Sequence, residues 1–111
     1  MTIHFETIDP LGKKVICTKD RWFKHILVQR KAQGWEDGDG WEKDVCNAIE
    51  NPYMIVQDVD YNNGQNYIYR PGVQAFYLKV CVRFIDDIGQ VVTTFEINTI
   101  KPGEKLLWPQ L

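Results

Sequence analysis

Ten residues constrain the fold of this chain more than any other stretch: Phe76–Ile85, FYLKVCVRFI. Phe76, Leu78, Val80, Val82 and Phe84 alternate with Tyr77, Lys79, Cys81 and Arg83. A period of two sends successive side chains to opposite faces, so the stretch predicts a β-strand with one apolar and one polar face. An apolar strand face has to be covered by a second layer, and the rest of the chain is read here as the means of covering it.

Turn signals place further strands on either side. Asp86-Asp87-Ile88-Gly89 reads as a turn into a strand Val91–Ile100, with Val91, Thr93, Phe95 and Ile97 on one face. Upstream, Tyr53–Val59 and Asn66–Arg70 are strand-like and joined by the Asn- and Gly-rich turn Asp60–Asn66; Pro71-Gly72 ends the second. At the start, Ile3–Ile8 and Lys14–Thr18 flank Asp9-Pro10-Leu11-Gly12 and read as a hairpin. The tail KPGEKLLWPQL turns at Pro102-Gly103 and returns Leu106, Leu107 and Trp108 to the core.

Two segments have helical spacing instead. In Thr18–Val28, Trp22, Phe23, Ile26 and Leu27 form an apolar stripe, Thr18 is placed to cap, and Asp20 suits the positive end of the helix dipole. Residues 31–40, with Gly34, Gly38 and Gly40 among three acids, read as a mobile loop. Asp39-Gly40-Trp41-Glu42 has the form of a capping box, and Trp41, Val45, Ala48 and Ile49 continue as a second helix that Asn51-Pro52 stops. The order β-β-α-α-β-β-β-β predicts an α+β domain whose two N-terminal helices cover one face of an antiparallel sheet. The other face, partly polar, is the expected place for a ligand.

A length of 111 residues predicts a single domain, residues 1–111, able to bury about two-thirds of its unfolded surface without a disulfide or a metal. The longest apolar runs are far short of a membrane span. The N-terminal residues lack the apolar core of a signal peptide, which predicts a cytoplasmic protein. Cys17, Cys46 and Cys81 are odd in number and widely spaced, and only His4 and His25 could join them. The pattern predicts buried free thiols rather than a zinc site, and no cofactor. Net charge is −2, but the sign is segregated: cations dominate residues 13–31 and acids residues 36–50. Such a split either steers a polyanion to one surface or reflects two ordinary solvated faces.

Candidate chemistry is sparse. With no serine in the chain, a serine nucleophile is excluded; no glycine-rich phosphate loop and no calcium loop has the required spacing. His25 sits at the border of the helical stripe beside Lys24. It reads either as a general acid or base or as a histidine that only packs. Arg70, Lys79 and Arg83 lie on the polar side of strands, where they would stabilise a phosphate or merely face water. Thr93 and Thr94 could orient a phosphate or a 2′-hydroxyl, and Tyr67, Tyr69 and Tyr77 could stack bases; β-propensity explains both groups as well.

The blocks KVICTKDRWFKHI, AIENPYMIVQD, NYIYR, LKVCVRF, VVTTFEI and KPGEKLLWP, in that order, resemble phage- and mobile-element-associated domains of the barnase/EndoU/colicin/RelE-like nuclease superfamily. The resemblance implies helices followed by a curved antiparallel sheet of about four strands, here preceded by a short hairpin. It implies a toxin-like, metal-independent endoribonuclease, with RNA as substrate and an inhibitor protein as partner. By position it implies catalytic roles for His25, Tyr69, Arg70 and Thr93; Lys24, Tyr67, Lys79, Arg83 and Thr94, read from the residues themselves, are the expected substrate-binding set. Where many relatives carry a second histidine and a proline after the helix motif, this chain has Gln29-Arg30-Lys31. A non-catalytic nucleic-acid- or protein-binding module on the same fold is the alternative.

Overall fold

The alternating stretch is a strand, β5 in chain order, spanning Tyr77–Ile85; its residues 78, 80 and 82 are buried against helices and 77, 79, 81 and 83 are only partly covered on the opposite face. A computed structural model describes residues 2–32, 39–71, 76–100 and 104–109. Before β5 come β1 (Ile3–Ile8), β2 (Lys14–Thr18), β3 (Met54–Gln57) and β4 (Gly64–Tyr69); after it come β6 (Ile88–Ile97) and β7 (Leu106–Trp108). Together they form one seven-stranded sheet in the order β1-β2-β6-β5-β4-β3-β7.

This corrects the expected sheet of about four antiparallel strands under two helices. The sheet is mixed, because β2 runs parallel to β6, with Lys14 opposite Ile88 and Ile16 opposite Gln90. The opening hairpin is therefore part of the main sheet rather than a preface to it. The tail adds an edge strand, β7, beside β3. Neither pairing is marked by a local turn, and three residues are too few for β7 to show an alternation.

The helical layer is smaller than expected. The first helix is composite: α1 (Lys19–Arg21), a π-helical segment (Trp22–Ile26) and α2 (Leu27–Ala32). Thr18 caps it as predicted, its hydroxyl accepting from Arg21 N at 3.1 Å. Trp22 and Ile26 are buried, but Phe23, expected in the same stripe, is half exposed. A wider π turn shifts the angular spacing of the residues that follow it, which a 3.6-residue reading does not foresee. The second helix, α3 (Asp39–Glu50), buries Trp41, Val45, Ala48 and Ile49. The loop expected over residues 31–40, the cap at Asp39 and the turns at Pro71-Gly72 and Pro102-Gly103 fall wholly or partly outside the described residues.

The core lies between this layer and the sheet. Val15, Cys17, Ile55, Tyr67, Leu78, Val80, Val82 and Val91 meet Trp22, Ile26, Trp41, Val45, Ala48 and Ile49. Burying a side chain of this kind stabilises by about 1.5–3 kcal/mol, so this dry face carries most of the folding energy. An aromatic chain ties helix to sheet: the Trp22 ring lies 5.3 Å from Trp41, 5.5 Å from His4 and 5.8 Å from Phe5. One polar anchor crosses the core. Asp9 accepts from Leu11 N and Lys13 N through one oxygen and from the Tyr67 hydroxyl, at 2.6 Å, through the other.

The β5–β6 hairpin turns on Asp86 and Asp87 alone, both at positive φ (52° and 67°), so Gly89 belongs to the strand. Two successive positive-φ residues match the twist of the flanking strands. Gly89 is glycine for another reason: a Cβ there would stand 2.7 Å from Val82 Cγ1 and 2.9 Å from Phe84 Cζ. A bulge between Cys81 and Val82 shifts the pairing of β6, so Val91 and Thr94 face the helices while Thr93 lies opposite Cys81 on the other side. The shared face expected for Val91 and Thr93 is broken by that bulge.

Candidate functional site

The face of the sheet away from the helices is divided in two. At one end Lys79 Nζ reaches Glu104 Oε1 at 3.2 Å, with side-chain exposures of 12% and 7%. Glu104 and Lys105 lead into β7 at the edge of the sheet, where Gln57 N donates to Lys105 O at 2.8 Å. Val56 and Ile68 are buried here. At the other end, around Arg83, the face is open.

Two hollows occupy the open end. The larger, about 410 Å³, is lined by Thr18, Asp20, Arg21, Arg83, Ile85, Gln90, Val91 and Val92. It exists because β2 pairs with β6 in parallel. That pairing ends with Ile16 opposite Gln90, so the chain leaves β2 and enters the first helix beside Gln90–Val92 and across from Arg83. The smaller, about 140 Å³, is lined by Asp58, Tyr61, Cys81, Val82, Arg83, Val92 and Thr93, and shares Arg83 and Val92 with its neighbour.

The electrostatics of the larger cleft are cationic. Among the described residues Arg21 and Arg83 make no ion pair, whereas Lys14, Lys24 and Lys79 are each held by a carboxylate. Arg83 instead stacks on Tyr61, with its guanidinium carbon 3.7 Å from the ring centroid. Stacking fixes a guanidinium without spending its N–H donors. The single acid of the cleft, Asp20, is 3.0 Å from Lys24 Nζ; this hydrogen bond and the charge behind it hold the Asp20 carboxyl below its ordinary pKa.

His25 is not on the cleft wall, but its Nε2 lies 3.8 Å from Asp20 Oδ2 and the ring is half exposed. It belongs to the π segment, a geometry found often at functional sites. Four residues further on, the Gln29 side chain accepts from Thr93 Oγ1 at 3.3 Å. Asp20 thus links His25 and Lys24 to the cleft that Arg83 lines, and Thr93 lines the hollow beside it.

The remaining sequence candidates lie elsewhere. Tyr69 ends β4 and Arg70 follows it, away from the open end. Thr93 pairs with Cys81 and Cys81 with Asn66, four residues short of Arg70. Two strand spacings and four residues of rise put the Thr93 and Arg70 backbones roughly 16 Å apart. Tyr69 packs against the core, and Arg70 approaches the Tyr77 ring at 5.9 Å. Tyr67 is fully buried with its hydroxyl on Asp9, and burial followed by that bond pushes its pKa upward, so it can neither stack a base nor donate a proton readily. Thr94 is buried on the helix face. Lys79 is spent on Glu104.

The thiols are inert. Burial above all pushes Cys17 up to about 12 and Cys46 and Cys81 to about 11, so each is protonated at neutral pH. Among the described residues no three His, Cys, Asp or Glu side chains gather as a metal site, and no helix is long and apolar enough to cross a membrane.

Arg21, Asp58 and Tyr61 are site residues that a reading of the sequence passes over. Arg21 was one cation in a basic run, and Tyr61 one residue of a turn. Their relevance follows from the β2–β6 pairing and from the loop that closes β3 onto β4. Compared with protein-family models, with curated proteins and with solved structures, the chain matches none. The nuclease resemblance therefore rests on the residue blocks alone.

Proposed function

We propose that this protein is a small metal-independent endoribonuclease of the cytoplasm that holds RNA across the open end of its sheet. One observation carries the reading: Arg21 and Arg83 line a single cleft without an ion pair among the described residues, and its wall residue Asp20 lies 3.8 Å from the half-exposed His25. Two guanidinium groups suit a phosphodiester, whose non-bridging oxygens accept paired charge-assisted hydrogen bonds.

In the proposed reaction the ribose 2′-oxygen attacks the adjacent phosphorus and the bond from phosphorus to the 5′-oxygen breaks. The products are a 2′,3′-cyclic phosphate and a 5′-hydroxyl. His25 takes the 2′-proton, the Asp20 carboxylate steadies the imidazolium that results, and the departing 5′-oxygen takes a proton from water. Arg21 and Arg83 stabilise the charge that grows on the phosphorane oxygens. Thr93 and Gln29 border the path of the strand. The chain needs no nucleophile of its own, in keeping with protonated thiols and the lack of serine.

The test is cleavage of a labelled RNA in EDTA. Wild type is expected to leave cyclic-phosphate ends. His25→Ala is expected to lower the rate about a hundredfold or more, the usual share of an acid–base group. Arg21→Ala combined with Arg83→Ala is expected to abolish cleavage. Wild-type inactivity with binding retained would favour a second reading, a non-catalytic RNA-binding module. That reading draws on the distance of Arg70 and Tyr69 from the cleft.

A further inference from the structure

We propose that the smaller hollow is a nucleobase subsite, with Tyr61 as its stacking platform and Arg83 as the shared wall that joins base to phosphate. The inference rests on the reading of the larger cleft as a phosphate site.

Tyr61 is held as a platform should be. Asp58 Oδ1 accepts from Asp60 N at 2.8 Å and from Tyr61 N at 3.1 Å, closing a tight turn. Gln57 Nε2 donates to the carbonyls of Tyr61, Asn62 and Gly64 at 2.9–3.1 Å. Gly64 N returns to Tyr61 O at 3.0 Å. Position 64 of the turn has no room for a side chain, since a Cβ on Gly64 would stand 2.7 Å from Asp58 Cβ. A loop with this many internal bonds presents its tyrosine in one place. Arg83 covers one face of the ring, yet Tyr61 remains 47% exposed. An aromatic ring on a braced turn, with half its surface open, offers a stacking area to a planar ligand.

The rest of the lining suits a base edge. Burial works against the Asp58 carboxylate, but the bonds from Asp60, Asn66 and Tyr61 outweigh it and hold its pKa low, so it stays an acceptor. The Thr93 hydroxyl, which donates to Gln29, keeps its lone pairs for a ligand. Val92 supplies an apolar wall. Because Arg83 lines both hollows, a ligand with a planar ring in one and a phosphate in the other spans them without further groups. That describes a nucleotide.

The experiment is calorimetric titration of the whole protein with AMP, CMP, ribose 5-phosphate and inorganic phosphate. Both nucleotides are expected to bind about tenfold or more tightly than ribose 5-phosphate. Tyr61→Leu is expected to erase that difference, and Tyr61→Trp to preserve it. An unchanged urea midpoint in Tyr61→Leu shows that the fold is intact. Equal affinity for AMP, CMP and ribose 5-phosphate overturns the base subsite while leaving the phosphate cleft standing. Failure of every phosphate, with no response to Arg83→Ala, overturns the cleft and the subsite together.

Discussion

Lys79 and Arg83 stand on the same face of the same strand, four residues apart, and lead opposite lives. Lys79 lies against the tail residue Glu104, almost wholly buried and paired with it. Arg83 lies beyond the tail, stacked on Tyr61 and open to two hollows. Alternation alone made them equivalent. What separates them is the element laid over each: a tail that joins the sheet as β7 at one end, and at the other only the start of the first helix. A strand cation becomes structural or available according to whether a later part of the chain covers it.

The contrast is sharpest in stability. Glu104→Leu strands the Lys79 ammonium in a site it cannot leave, and is expected to cost about 3 kcal/mol in urea unfolding. RNA binding should be retained by whatever fraction remains folded. Arg83→Ala should reverse that pattern. The unfolding free energy is expected to move by no more than about 0.5 kcal/mol, as at other partly exposed surface positions, while RNA affinity falls about tenfold. If Arg83→Ala unfolds the protein as readily as Glu104→Leu does, the two ends are not different in kind.

Gly89 tests whether the open end is held by packing. Gly89→Ala drives a Cβ into Val82 and Phe84 beside the hairpin that carries Arg83. A loss of about 2 kcal/mol is expected, read from the shift in the urea midpoint. A neutral result would mean that the β5–β6 hairpin yields more than its close contacts indicate.

A further effect is a dependence on pH. Cys17 rises from 9.0 to about 12 on folding, and Tyr67 rises from 10.0, its burial and its bond to Asp9 acting together. Groups raised on folding keep protons that the unfolded chain gives up, so the stability they supply is complete below pH 9 and lost as the pH climbs toward 12. Tyr67→Phe should lose the Asp9 bond at every pH and show a shallower decline above pH 10. Equilibrium unfolding from pH 7 to 11 measures both.

Much of this contrast was half legible in the sequence. The alternation of β5, the Asp86-Asp87 turn and the Thr18 cap are local, set by a few residues and their backbone preferences, and each could be read directly. The parallel pairing of Lys14 with Ile88 could not be read, because contacts so distant in sequence leave no turn signal between them. Without it, Arg21 and Arg83 had no reason to be neighbours. The same holds for Tyr67, whose burial over Asp9 is a tertiary fact, and for Arg70, which only the β4–β5–β6 register removes from Thr93.

The most direct test of the central claim follows backbone amide shifts in NMR spectra as a short 2′-O-methylated RNA, which cannot be cleaved, is titrated in. The account predicts perturbation at Thr18–Arg21, Tyr61, Arg83 and Gln90–Thr93, with Ile68, Lys79 and the β7 residues unmoved. Perturbation centred on Lys79 and β7, or none at any amide, would contradict it.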